Sequence, residues 1–301
     1  MVESVPTGDP AEHARVGTPV DGVEVLGALS PSRASDFRSC PLQFRFRTID
    51  KLPEPVSSAA MRGNVVHKVL EGLFDLPAPE RTPDMASTLV EPAWAEILAA
   101  EPVVAEMFGG DPAQLEEWLR SCRESLARYF ELEDPRWLEP AQREEYVETL
   151  LDSRLLLRGV VDRIDVAPDG AIRVVDYKTG RSPAVGREAH ALFQMRFYAL
   201  VIWRTRGVVP AQLRLIYLGD GEMVSYSPDE ADLLATERLV QAIWEAIRVA
   251  RETGDWQPSP GPGCSWCPHQ ALCPAYGGTP PPLPPPREPA ADESQPQMPA
   301  R

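Results

Sequence analysis

The stretch Gly159-Val160-Val161-Asp162-Arg163-Ile164-Asp165, carried through Pro168-Asp169-Gly170 into Val174-Val175-Asp176-Tyr177-Lys178-Thr179-Gly180, decides the fold. Leu155 to Val166 and Ala171 to Tyr177 read as strands, and Pro-Asp-Gly between them is a hairpin signal. A three-residue loop pairs residue 167 with 171 and, further along, sets Asp162 opposite Asp176. Directly opposed side chains have Cβ atoms about 4.5–5.5 Å apart, close enough for two carboxylates to share a divalent cation. Lys178, two residues beyond Asp176, falls on the same strand face. A two-residue turn would pair Asp162 with Tyr177 instead and divide the set.

Two like charges side by side destabilise a hairpin unless a cation neutralises them, and Asp and Lys are poor strand formers. Such a group suits phosphodiester hydrolysis: carboxylates holding Mg²⁺ or Mn²⁺ and a lysine stabilising developing charge. The plainer alternative is an exposed hairpin in which Lys178 merely pairs with Asp176 or Asp162.

Outward from the hairpin, Leu29-Ser30-Pro31-Ser32 has the capping residue and early proline of a helix start, and Ser57 to Phe74 places Val65, Val66, Val69, Leu70 and Leu73 at helical spacing. Helical stretches at about 84–100 and 112–132 precede a change to strand period from Tyr146. Helix returns from Glu188 to Arg204, short strands follow near Gln212–Leu218 and Glu222–Tyr226, and a last helix runs from about Asp229 to Arg251. This order predicts an α/β fold with one central sheet. Residues 1–24 and the Pro-rich 277–301 read as disordered, leaving an ordered chain over 25–276 with a helical insertion at about 76–140.

The net charge of −15 argues against a protein that coats nucleic acid. Charge is uneven, however: between Ser32 and Lys51, Arg33, Arg38, Arg45, Arg47 and Lys51 face only Asp36 and Asp50, a candidate phosphate-binding stripe or else a solvated helix face. Of the three lysines, only Lys178 precedes a Ser or Thr, and Tyr177 before it excludes a P-loop, so an ATP-driven motor is not expected. The N-terminus lacks an apolar signal segment and no long apolar run occurs, which predicts a cytoplasmic protein without a membrane partner.

With these motifs in place the chain resembles the RecB-type nucleases of the PD-(D/E)xK superfamily. Asp162-Arg163 resembles their Gly-x-x-Asp-Arg motif, Asp176-Tyr177-Lys178-Thr179-Gly180 their Asp-Tyr-Lys-Thr-Gly, Gly63-Asn64-Val65-Val66-His67 their Gly-x-x-x-His, and Gln194 to Tyr198 their Gln-x-x-x-Tyr. Read alone, His67 on an apolar helix face is a core histidine, and Gln194 with Tyr198 is a polar pair one turn apart. The resemblance implies a central mixed sheet flanked by helices, with His67, Asp162, Asp176 and the backbone carbonyl of Tyr177 as metal ligands. It makes Asp162, Asp176, Lys178, Gln194 and Tyr198 the catalytic set. Glu148 is one match to a further acidic position, with Glu144 and Glu145 open beside it.

Cys264, Cys267 and Cys273 are spaced to share a metal, and Cys122 reads as a buried apolar residue. The resemblance adds Cys40 as fourth ligand of a 4Fe-4S cluster that ties the N- and C-terminal segments together over 256–276. Structural Zn²⁺ on the same cysteines, or on the three clustered ones with His269, is the alternative. The function implied is a Mg²⁺- or Mn²⁺-dependent deoxyribonuclease, an exonuclease on single-stranded ends in DNA repair or recombination, with a helicase as possible partner in trans. A non-catalytic DNA-binding or helicase-partner module with the same fold, and a zinc-stabilised interaction protein, are the competing classes.

Overall fold

The computed structural model describes residues 19, 20, 22–183 and 189–284; the expectations for 1–18 and 285–301 lie outside the described residues. The elements follow the chain as β1 (Gly27–Leu29), α1 (Pro31–Ser39), α2 (Pro41–Phe44), α3 (Ser58–Leu73), α4 (Pro83–Thr88), α5 (Val90–Ala100), α6 (Pro112–Leu132), β2 (Gln142–Leu150), β3 (Leu155–Val166), β4 (Ile172–Lys178), α7 (Ala189–Arg206), β5 (Gln212–Tyr217), β6 (Glu222–Tyr226) and α8 (Glu230–Thr253). A π-helical turn at Arg45–Ile49 continues α2. It is an α/β fold around one mixed sheet, as expected.

Local chemistry explains the boundaries. Ser30 caps α1 by accepting the Arg33 N–H, with Pro31 pre-set at the first helical position. Ser57 caps α3 in the same way, and α8 opens on an Asp229/Asp232 capping box and ends where Gly254 turns left-handed at φ 73°. The hairpin loop closes with Ala167 and Ala171 hydrogen-bonded and Gly170 at φ 85°. The β3–β4 register, Arg163 with Val175 and Asp165 with Arg173, is that of the three-residue turn.

Strand β3 carries the architecture. One edge pairs antiparallel with β2 from Leu156 to Ile164. Its other edge is shared, parallel to β1 at Leu155–Leu157 and antiparallel to β4 at Arg163–Val166. Residues 158–162 between these two neighbours lie in a gap, and the candidate site opens there. From β4 the sheet continues parallel to β5 through α7 and ends at β6.

Two apolar layers sandwich the sheet. One holds α1, α2, α7 and α8; α7 is apolar nearly all round, with Phe193, Met195, Phe197 and Ala199 to Ile202 buried. The other packs Val65, Val66, Val69, Leu70 and Leu73 of α3 against α5 and α6 over Val175 and Tyr177. The packed chain runs past residue 276: Arg45 donates to the Pro281 carbonyl, and Leu283 approaches Gly254. No described helix is long and apolar enough to cross a membrane.

Candidate active site

Elements from both apolar layers meet at the gap in the sheet and enclose a cleft of about 890 Å³ lined by His67, Asp162, Asp176, Lys178, Gln194 and Tyr198. The ladder ends at Arg163–Val175, and beyond it the Asp162 carboxylate itself accepts the Tyr177 backbone N–H at 2.7 Å. His67 reaches in from α3, its Nε2 3.0 Å from the Tyr177 carbonyl oxygen and its Nδ1 3.5 Å from Asp162 Oδ1. On the α7 side, Lys178 Nζ lies 2.7 Å from Asp176 Oδ2 and donates to Gln194 Oε1 at 2.8 Å. Gln194 Nε2 donates to Asp176 Oδ1 at 3.0 Å and to the Tyr198 hydroxyl at 3.2 Å.

One carboxylate joins that only a non-local contact could select. Glu144 on β2, opposite Asp162 in the flanking register, lies 3.6 Å from His67 Nδ1. Ligand atoms of His67, Glu144 and Asp162 all fall within 4.8 Å of one another. Glu144 has φ 43°, a left-handed conformation costly for a residue with a Cβ, and such strain concentrates at functional sites. Glu148 instead accepts from Tyr146 at 2.9 Å.

The electrostatics answer to crowded negative charge. Burial, then the neighbouring Asp162, raise the Asp176 carboxyl well above the usual range, with Lys178 and His67 opposing. Burial pulls the His67 imidazolium down, but bonds to Asp162 and Glu144 outweigh it and lift it to about 10. Protons are thus drawn to a group of two or three carboxylates and an imidazole, where a hard divalent cation would serve the same neutralisation. The donor set, oxygens with one imidazole, fits such an ion.

The sequence profile of the PD-(D/E)XK nuclease superfamily matches residues 28–274. The chain belongs to that superfamily. Relatives include the Gene 69 protein of Mycobacterium phage D29, 25% identical over an alignment 279 residues long that covers 82% of this chain and 96% of the phage protein. The Gene 69 protein of Mycobacterium phage L5 is 29% identical over 124 residues, 40% of either chain. A crystal structure from Eubacterium rectale, provisionally named an exonuclease, shares the fold with TM-score 0.51 over 80% of this chain and 87% of its own, at 14% identity.

In this PD-(D/E)XK protein Cys40, Cys264, Cys267 and Cys273 converge on a second cavity, of about 400 Å³. Backbone N–H groups of Ser259 and Gly261 donate to the sulfurs of Cys40 and Cys264 at 3.4 and 3.3 Å. The Gly261 N–H and the Tyr276 hydroxyl lower the Cys264 thiol below its ordinary range. Among the described residues no three of these sulfurs lie within 4.8 Å of one another. His269 is buried with Nε2 2.9 Å from Glu54 Oε1 and packs edge-on to Phe46. Cys122 is buried in the α6 layer, away from the other four.

The arginine stripe of the superfamily member is not a row of free cations. Arg45 is buried on Asp50 at 2.9 Å, and Arg47 is held by Asp36 at 2.8 Å and Glu54 at 2.7 Å, so both have acidic partners within the chain. Arg38 stacks over the Phe193 ring at 4.7 Å. Arg33 is exposed, and partial desolvation followed by repulsion from Arg158 lowers its guanidinium below the usual range.

Proposed function

We propose that this protein is a Mg²⁺- or Mn²⁺-dependent deoxyribonuclease of RecB type, hydrolysing DNA from single-stranded ends in the cytoplasm during repair or recombination, with a helicase as partner. The convergence of His67, Asp162, Asp176, Lys178 and Gln194 on one cleft, with Glu144 grouped beside His67 and Asp162, carries this reading. His67, Asp162, Asp176 and the Tyr177 carbonyl would hold the cation, with Glu144 beside them. The bound ion supplies Lewis acidity to the phosphate and lowers the pKa of an attacking water. The residues do the rest. Lys178 keeps a fixed positive charge at the cleft, where it stabilises negative charge developing on the phosphate. Gln194 bridges Lys178, Asp176 and Tyr198, so the ammonium and the carboxylate are oriented together from one helix. The ordered 25–276 unit, with its helical insertion at about 76–140, is the nuclease domain of this proposal.

The four cysteines are proposed to carry a 4Fe-4S cluster of structural role. Tetrahedral zinc, with Zn–S near 2.3 Å, needs sulfurs about 3.8 Å apart. The cavity that the four cysteines line supports an inorganic group there, and the amide-to-sulfur bonds suit thiolate charge. His269, engaged with Glu54, is not offered to a metal through Nε2.

End-labelled single-stranded, duplex and flap DNA incubated with Mg²⁺, Mn²⁺ or EDTA tests the proposal. Cleavage of single-stranded ends that EDTA stops is the expected result. Binding of DNA without cleavage under every metal condition would replace the nuclease with a DNA-binding module.

A further inference from the structure

On the sheet face opposite Asp176, one buried arginine grips both strands of the candidate site. Arg163, 1% exposed, follows Asp162 directly in sequence. Its guanidinium makes a bidentate pair with Glu133 at 2.8 and 3.1 Å, donates to the Tyr177 hydroxyl at 2.6 Å, and meets Asp165 Oδ1 at 3.1 Å. Glu133 is the residue that ends α6, and Arg214 of β5 also donates to it at 3.0 Å. The Tyr177 ring packs edge-on against His67, centroids 6.0 Å apart. Tyr177 therefore touches the site three ways: its N–H on Asp162, its carbonyl at His67, its ring beneath the imidazole. On the far side its hydroxyl is held by Arg163, and its ring packs edge-on against Tyr129, centroids 5.8 Å apart.

We propose that Arg163, Glu133 and the Tyr177 phenol are positioning residues, a buried clamp that fixes the distance between the Asp162 carboxylate and the Tyr177 carbonyl and so presets the cation site. The proposal rests on the metal-site reading above. Groups that orient metal ligands from behind typically contribute 10–100-fold in metal affinity. Through Glu133 the clamp also makes the end of α6, a helix that contributes no residue to the cleft, part of the machinery.

The test uses full-length protein and three variants: Tyr177→Phe, which keeps the carbonyl and the ring; Arg163→Lys, which keeps the charge but not the fork; and Asp162→Ala. Mn²⁺ affinity is measured by calorimetry, and amide hydrogen exchange at residue 177 is measured without metal. Tyr177→Phe is expected to bind Mn²⁺ about tenfold more weakly, to exchange its amide faster with its melting temperature preserved, and to regain wild-type cleavage at saturating Mn²⁺. Arg163→Lys should show a larger loss. Wild-type Mn²⁺ affinity in Tyr177→Phe, with binding lost in Asp162→Ala, overturns the clamp alone. Undiminished binding in Asp162→Ala removes the metal-site reading, and the clamp with it.

Discussion

Gly159 sits in the gap of β3 with the Tyr198 ring laid over its α-carbon, and a Cβ there would lie 2.7 Å from Tyr198 Cε1. Packed carbons sit about 3.5–4.0 Å apart, so Gly159→Ala must push the ring back by roughly 1 Å. Tyr198 is buried, and its hydroxyl sits 3.2 Å from Gln194, which in turn holds Asp176 and Lys178. Overpacking of this kind costs about 1–3 kcal/mol of stability. Misplacing a catalytic constellation by about 1 Å costs on the order of 10²-fold in rate. Gly159→Ala should therefore stay folded and cleave about a hundredfold more slowly, the loss appearing in the single-turnover rate on end-labelled DNA. The second motif glycine is a built-in control: a Cβ at Gly63 would meet only Thr179 Oγ1, at an ordinary 3.6 Å. Gly63→Ala should cleave at nearly the wild-type rate. Undiminished cleavage by Gly159→Ala, or equal impairment of both variants, would refute the chain of contacts from Gly159 to Lys178.

Asp162→Ala, Asp176→Ala and Lys178→Ala should each abolish cleavage with the circular dichroism spectrum unchanged; activity retained by the Asp176 variant sinks the assigned site. In metal-free protein the folded His67 pKa of about 10 exceeds its usual 6.5, so the stability it contributes is complete below pH 6.5 and declines as pH rises through about 10. Urea unfolding across that window checks the sign, and Mn²⁺ affinity should rise over the same range as the competing proton leaves. Cys40→Ala should lower iron content and thermal stability together, whereas Cys122→Ala should leave iron content unchanged; full iron loading of the Cys40 variant would return the site to the three C-terminal cysteines.

The hairpin was legible because its information is local: a turn with one workable loop length, and two strands whose register follows from it. Four further features are not local in this way. Glu144 could not be chosen over Glu145 and Glu148 because its place depends on β2–β3 pairing and on a left-handed backbone that no residue type announces. Strand β1, three residues long, is too short for alternation to register. Arg45 and Arg47 read as surface charge because partners such as Asp36, Asp50 and Glu54 count as separate charges until the chain folds them together. Arg163 was visible as a motif residue, but its clamp needs Glu133 from the far end of the insertion.

The sharing of one β3 edge by β1 and β4 also sets an order of assembly. Strand β1 finds its partner only after the chain has reached Leu155–Leu157, and α1 and α2 then wait for the C-terminal segment, where Trp256 stacks on Phe44 at 6.0 Å and Pro281 receives Arg45. Contacts so far apart in sequence form late and slow folding. During synthesis the hairpin with both aspartates leaves the ribosome well before the cleft's N-terminal wall, Ser30 to Asp36, can be locked by the last elements. A nascent chain thus carries the site's aspartates before its enclosure, which waits until the segment around Trp256 and Pro281 has been made.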